Sequence, residues 1–330
     1  MRSVGANIAP KGEATVSDIL TITLNPALDI NTETDKVVPD VKLRCTEPQV
    51  DPGGGGINVA RAIRHMGGNA TAIVAAGGHN GNRLLDLLAS EGIPTITIPS
   101  PGETRASVVV NCKETGLQYR YVLPGPPWEE NHVRLAITTT VQNAPKDGLI
   151  ILSGSQPPGV PLDFEESLSA AISHAGARLI VDTSGPALRR IVEDHNSPPF
   201  LLRSDDEEAE GLAGHKLATP ADTAAFSRGL IEKGVAQNII FARGSEGSVL
   251  TTPEGSWLAT AAKVEVVSKV GAGDSYVGGF ALSLSRGNSI QEAARYGAAA
   301  ASAAVTTEAT QLCRGEDVER LLPQCKLIEL

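Results

Sequence analysis

Asp274 is the residue from which a chemical reading of this chain starts. It stands in the run Val270-Gly271-Ala272-Gly273-Asp274-Ser275, and residues 275–284 carry helical spacing. Glycines at the mouth of a helix leave backbone N–H groups uncovered where the helix dipole is positive, a setting that favours an anion. A carboxylate there has two readings. It is an N-cap, worth about 1 kcal/mol and needing no function, or it is a base held beside an anion site. Two glycines that admit a ligand to the backbone favour the second.

A second run, Asp51-Pro52-Gly53-Gly54-Gly55-Gly56-Ile57-Asn58, opens an apolar helix over 57–66. A bare turn needs one or two glycines, and each further one loses chain entropy on folding. A small-molecule site, with Asn58 one turn into the helix, accounts better for four. Other motifs are excluded. There is no Gly-Lys dipeptide and hence no P-loop. Tyr276 stands where a dinucleotide fingerprint needs its third glycine, and Ser153-Gly154-Ser155 is not a nucleophile elbow. Cys45, Cys112, Cys313 and Cys325 form no close pair and the six histidines no HExxH, so a structural zinc site is not expected.

Elements must hold these motifs. Apolar, β-branched runs at 19–24, 70–75, 93–98, 148–152, 178–182, 199–202 and 238–242 predict strands. Helical spacing recurs at 57–66, 83–90, 275–284 and in the alanine-rich stretch 291–304. Strands separated by helices predict a mostly parallel sheet covered on both faces, an α/β fold. Residues 36–50 and 106–123 break the rhythm, alternating without a helix of their own, with a Glu114-Thr115-Gly116 turn in the second. They predict a small antiparallel sheet inserted as a lid into one α/β domain over 18–330. Residues 1–17 lack an apolar signal core and read as a disordered extension.

Composition narrows the classes. Of 330 residues 41% are hydrophobic and 20% charged, the balance of a folded globular protein. A net charge of −10 repels phosphate backbones, and 3% aromatics leave few rings to stack on bases, so no nucleic-acid partner is expected. No apolar run approaches the ~20 residues of a membrane span, so no membrane partner is expected either. Reduced thiols and a cytoplasmic location are expected.

Taken in order, Asp29, the glycine quartet with Asn58, Gly77-Gly78 with Gly81, Ser153–Pro158, Gly244 with Gly247, and Gly271–Ser275 resemble the ribokinase-like PfkB carbohydrate kinases. Lys42-Leu43-Arg44-Cys45 and Leu152-Ser153-Gly154-Ser155 resemble the phosphosugar branch of that family. The resemblance implies a three-layer α/β/α fold with the inserted β-sheet lid. It also implies transfer of the ATP γ-phosphate to the 1-hydroxyl of fructose 6-phosphate. A 1-phosphofructokinase or tagatose-6-phosphate kinase is the alternative, and a non-catalytic phosphosugar binder is disfavoured by the retained Asp274.

By the same resemblance Asp274 is the base, and Gly271, Ala272 and Gly273 form an anion hole. Asp29, Gly54, Gly55, Asn58 and Ser153 bind the sugar, while Lys42, Arg44 and Arg105 bind its phosphate. Arg203, Asp205, Arg243, Gly244, Gly247 and Ser302 bind nucleotide, and Glu208 with Asp205 serves Mg²⁺, the implied cofactor. Five positions depart from the family pattern: Arg203-Ser204-Asp205 replaces Lys-Pro-Asn, Ala242 replaces a hydroxyl residue, and Lys269 replaces a Thr or Ser. A homodimer through the inserted sheet is expected, because an isolated small sheet leaves an apolar face and open edges uncovered.

Overall fold

The structure, a computed structural model, describes residues 18–194, 196–308 and 310–330. The extension expected over 1–17 lies outside the described residues. β1 (Ile19–Thr23) is buried throughout. Ile19 faces one core and Leu20 and Ile22 the other, the period-two pattern of a strand covered on both faces. After it come β2 (Ala27–Thr34), β3 (Gln49–Gly53), α1 (Gly55–His65), β4 (Thr71–Ala76), α2 (Gly78–Ser90) and β5 (Thr95–Pro99). A hairpin of β6 (Arg105–Cys112) and β7 (Gln118–Val122) precedes α3 (Glu130–Gln142). Strands and helices then alternate through β8 (Leu149–Ser153), α4 (Phe164–Ile172), β9 (Arg178–Asp182), α5 (Gly185–Glu193) and β10 (Leu201–Ser204). Two helices, α6 (Asp206–Ala213) and α7 (Pro220–Glu232), lead to β11 (Asn238–Ala242). The chain closes with β12 (Gly247–Thr252), β13 (Gly255–Thr260), α8 (Ala272–Ser285), α9 (Ile290–Ala304), α10 (Gly315–Leu321) and β14 (Leu327–Glu329).

The larger sheet runs β14-β13-β12-β11-β10-β9-β8-β1-β4-β5. It is parallel from β11 to β5 and antiparallel from β11 outward. Side chains of α1, α2, α8, α9 and α10 fill one core, and those of α3 to α7 fill the other, giving three layers. The smaller sheet is β3-β2-β6-β7, with β2 and β6 parallel and the other pairs antiparallel.

Four expectations need correction. The strand expected over 36–50 forms only at its end, where residues 49–50 open β3, and the sheet is not all antiparallel as expected, since β2 and β6 run parallel. Pro39 and Pro48 offer no ladder N–H, Asp40 has a φ of 60°, and the segment hangs on β2 through Thr46 N to Glu33 O and Thr34 Oγ1 to Arg44 O. The smaller sheet takes Ala27–Thr34 instead, a run whose polar residues hid it. The strand expected over 199–202 begins two residues later, since Pro199 cannot donate to a ladder. Finally, α8 begins at Ala272 rather than at residue 275.

Candidate active site

Gly271, with a φ of 77°, is the N-cap of α8, so Asp274 is its third residue and caps nothing. The N-cap reading of Asp274 fails. Its carboxylate is held from α1, where Asn58 Nδ2 donates to Asp274 Oδ2 at 2.9 Å. Burial, then the nearby Asp182 charge, push its pKa up to about 7 against the opposing pull of Asn58 and Arg203. An acid poised there exchanges protons readily near neutrality. The first N–H groups of a helix lack intrahelical partners; here Ala272 N donates back to Lys269 O at 3.4 Å, so of the anion hole expected from Gly271, Ala272 and Gly273 the Ala272 amide is already engaged.

The glycine quartet has a packing cause that the sequence did not show. A side chain on Gly53 would collide with the Asp29 carboxylate, and one on Gly55 with Ser153 Oγ and, at 2.6 Å, Gly154 N. The quartet therefore lets β2, β8 and the start of α1 approach closely, with Asp29 and Ser153 lining separate cavities on either side. Gly54 and Gly55 contribute backbone there and little else.

Beneath Asp274 lies a chain of polar contacts. Arg203 on β10 donates Nη1 to Asp182 Oδ1 at 2.9 Å, and Ser153 Oγ donates to Asp182 Oδ2 at 3.1 Å. The guanidinium lies 2.9–3.2 Å from where a side chain on Gly273 would start. Gly273 is thus bare because an arginine occupies that side of the helix mouth. Asp182 is a site residue that motif reading missed, although it ends a predicted strand, where α/β folds place ligands.

Under the smaller sheet a cavity is lined by Asp29, Ser107, Gln118, Arg120, Val270 and Thr310, among others. Burial raises the Asp29 pKa, and Arg105, Ser107 and Arg120 oppose that rise. Arg120, on β7, was not singled out from sequence; its register partner Val109 and the alternation of β7 were the available signal. Arg105, at the start of β6, is near enough to act on the Asp29 charge, its guanidinium donating to the carbonyls of Asn25 and Leu123 at 3.1–3.3 Å. Lys42 and Arg44 are exposed on the segment before β3 and do not line this cavity.

The nucleotide side departs furthest from expectation. Asp205 is the N-cap of α6, its Oδ1 accepting from Glu208 N at 2.8 Å, so that oxygen is engaged. Glu208 Oε2 accepts from Ser204 Oγ at 2.9 Å, and burial followed by the Asp205 charge raises its pKa. Arg243 is engaged by the protein itself. It donates to Leu217 O, Thr223 Oγ1 and Ala218 O and pairs with Glu246, which ties the end of β11 to the connection between α6 and α7. Ser302 likewise donates to Ala298 O and accepts from Ala262 N, pinning the chain after β13 to α9. Gly244 and Gly247 flank the turn between β11 and β12, with φ of 53° and 118°. Lys269 lines a second cavity with Lys113 and Arg120.

A carboxylate in the first turn of a helix, held by a partner helix beside a cavity under a small second sheet, suits a group-transfer enzyme. Residues 18–316 match the pfkB family carbohydrate kinases. The chain belongs to that family. This kinase is 38% identical over 303 residues to the Escherichia coli ATP-dependent 6-phosphofructokinase isozyme 2, covering 92% of this chain and 97% of that one. It is 29% identical to the Bacillus subtilis 1-phosphofructokinase over 94% of this chain and all of that one. Its structure is similar to Escherichia coli phosphofructokinase-2 in complex with fructose-6-phosphate, with a TM-score of 0.84, 37% identity, and coverage of 93% and 98% of the two chains. The kinase thus has the ribokinase-like fold expected, and ATP is its co-substrate. No helix among its described residues is long and apolar enough to cross a membrane.

Proposed function

We propose that this kinase transfers the γ-phosphoryl group of ATP to the 1-hydroxyl of fructose 6-phosphate, giving fructose 1,6-bisphosphate and ADP. The observation that carries the reading is Asp274, a half-buried carboxylate in the first turn of α8, pinned by Asn58 and close enough to Asp29 to feel its charge. Asp274 takes the proton of the sugar hydroxyl. That oxygen forms the new bond to the γ-phosphorus while the bond to the β–γ bridging oxygen breaks and its electron pair leaves with ADP. The transition state of such transfers is loose, so positioning and charge stabilisation dominate. The amides of Gly273 and Asp274 supply donors where negative charge grows. Asp29 accepts sugar hydroxyls, with Arg105 and Arg120 offering cations to the sugar phosphate.

Among the described residues no group of three or more His, Cys, Asp or Glu side chains could cage a metal. Glu208 suits an ion that arrives with the triphosphate. Mg²⁺ keeps several waters and needs only one or two carboxylates, and a cation would relieve the charge that Asp205 and Asp182 impose on Glu208. Mg²⁺ when bound shields the triphosphate oxygens.

The smaller sheet acts as the lid over the sugar, and two copies of the kinase pair through it. Val41, Leu117, Tyr121 and Val122 are each more than half exposed on this sheet and its leading segment. Lys42 and Arg44 flank Val41 and Leu43 there, so pairing through this face is what brings their charge to a sugar pocket. Light scattering showing a concentration-independent monomer refutes the pairing.

The functional reading is tested by incubating the kinase with Mg-ATP and, separately, fructose 6-phosphate, fructose 1-phosphate and tagatose 6-phosphate while following ADP release. Preferential consumption of fructose 6-phosphate is expected. Preference for another of the three overturns the substrate assignment, and no ADP with any of them overturns the activity.

A further inference from the structure

Two non-glycine residues near the active site hold a left-handed backbone. Thr310 has a φ of 74° and Leu312 a φ of 60°. For a β-branched residue such as threonine this conformation is a genuine outlier, which persists only where surrounding contacts over-determine it. The contacts are there. Thr310 O accepts from Arg61 Nη1, and Arg61 is only 5% exposed and doubly bonded to Glu91 at 2.7 and 2.9 Å. Leu312 O accepts from Thr307 Oγ1, Cys313 O bonds the ring of His65, and Cys313 N donates to Ser275 Oγ. The Leu312 side chain lies over Gly271, leaving no room for a side chain there. This short segment is therefore a buttress for the first turn of α8, which carries Asp274.

The same segment reaches the lid. Thr310 Oγ1 donates to Asp51 Oδ2 at 2.8 Å, and Asp51 lies on β3 directly opposite Asp29 on β2. Gln49 Nε2 donates to the same oxygen at 3.0 Å. Thr310 also lines the cavity that holds Asp29 and Arg120. One side chain thus joins the strand beside the sugar-binding carboxylate to the support of the phosphoryl-transfer helix.

We infer that the Thr310–Asp51 hydrogen bond is a latch that fixes the lid strand at one distance from the catalytic helix, which makes Thr310 and Asp51 positioning residues for the sugar phosphate. The backbone strain at Thr310 accompanies this role: in that conformation the hydroxyl reaches β3 while the carbonyl stays on Arg61. The latch rests on the sugar-phosphate kinase reading above. Arg61 and Glu91 are its fixed anchor, and β3 is what it holds.

The test is steady-state kinetics of the full chain with Thr310→Val, which keeps shape and removes the hydroxyl, alongside Thr310→Ser, which restores it. Thr310→Val is expected to raise the KM for fructose 6-phosphate on the order of 10-fold, the scale of one charge-assisted hydrogen bond. The KM for ATP should stay within about twofold and Thr310→Ser should match the parent. Asp51→Ala should raise the same KM, and the double variant should be no worse than either single one, since both remove one bond. A Thr310→Val enzyme whose melting temperature falls while its sugar KM stays within twofold of the parent overturns the latch. So do additive effects of the two substitutions. If Thr310→Val does not fold, Asp51→Ala decides by the same KM criterion. A failure of the kinase reading shows separately, as a parent enzyme that does not turn over.

Discussion

Replacing Asp274 with Asn separates chemistry from architecture. The amide keeps the shape of the carboxylate and still offers an oxygen to Asn58 Nδ2, so the 2.9 Å contact survives. It cannot take a proton from an alcohol, a function worth typically 10²–10⁴-fold in rate. The turnover number should fall at least about 100-fold with little change in either KM. Stability should move the other way. The folded pKa of Asp274 is about 7 against an ordinary 3.8, so the fold favours the protonated acid. The contribution is fully present below pH 3.8 and is lost as pH rises through 7. At about 1.4 kcal/mol per unit this places a ceiling on the order of 4 kcal/mol on the gain of Asp274→Asn at pH 8, vanishing at acid pH. Two measurements decide: kcat from ADP release between pH 5.5 and 9, and the melting temperature over the same range. The parent kcat should rise through about pH 7 and then level, and the variant should lack that limb while melting higher than the parent across this range, by a margin that grows from pH 5.5 and levels above about pH 7. A variant that keeps more than roughly a tenth of the parent kcat refutes the assignment of Asp274 as base.

Other outcomes follow from neighbouring geometry. Arg105→Ala should raise the KM for the sugar phosphate about 10-fold or more with a much smaller change in kcat, read from the same assay. Gly273→Ala should lower kcat strongly in a folded enzyme, because its Cβ would meet the Arg203 guanidinium at 2.9 Å and displace it from the helix mouth; circular dichroism confirms the fold. Glu165 is only 5% exposed, and burial, then Glu166, push its pKa to about 8. Its stabilising contribution is fully present below pH 4.5 and is lost as pH rises through 8, so Glu165→Gln should melt above the parent by a clearly larger margin at pH 9 than at pH 6.

The glycine runs and the strand–helix alternation were legible in the sequence because both depend on local rules, backbone exposure in one case and hydrophobic period in the other. Asp274 and Asn58 were readable for the same reason. What the sequence concealed was whatever depends on who meets whom. β2 was hidden because Asp29, Asn31, Glu33 and their neighbours look like a loop until β3 and β6 close on them. Arg243 and Ser302 read as ligand-binding by position, yet tertiary contacts engage both within the protein. Asp182 and Thr310 became visible only through partners 21 and 259 positions away in the chain.

The packing of α8 against α9 has a consequence for how the kinase works. Gly279 admits Ala300 Cβ to within 2.8 Å of where its own side chain would begin, Gly297 does the same for Tyr276, and Gly278 brings Ala62 of α1 to 3.1 Å. Helices interlocked at that range have no void into which the mouth of α8 could shift. If the α8 amides act as proposed, they are set in place when the chain folds rather than when ATP arrives, and little dipole reorientation is left for the reaction itself. Catalytic strength here is a property laid down during folding, and changes of motion between related kinases should be sought in the lid, where the packing is thin.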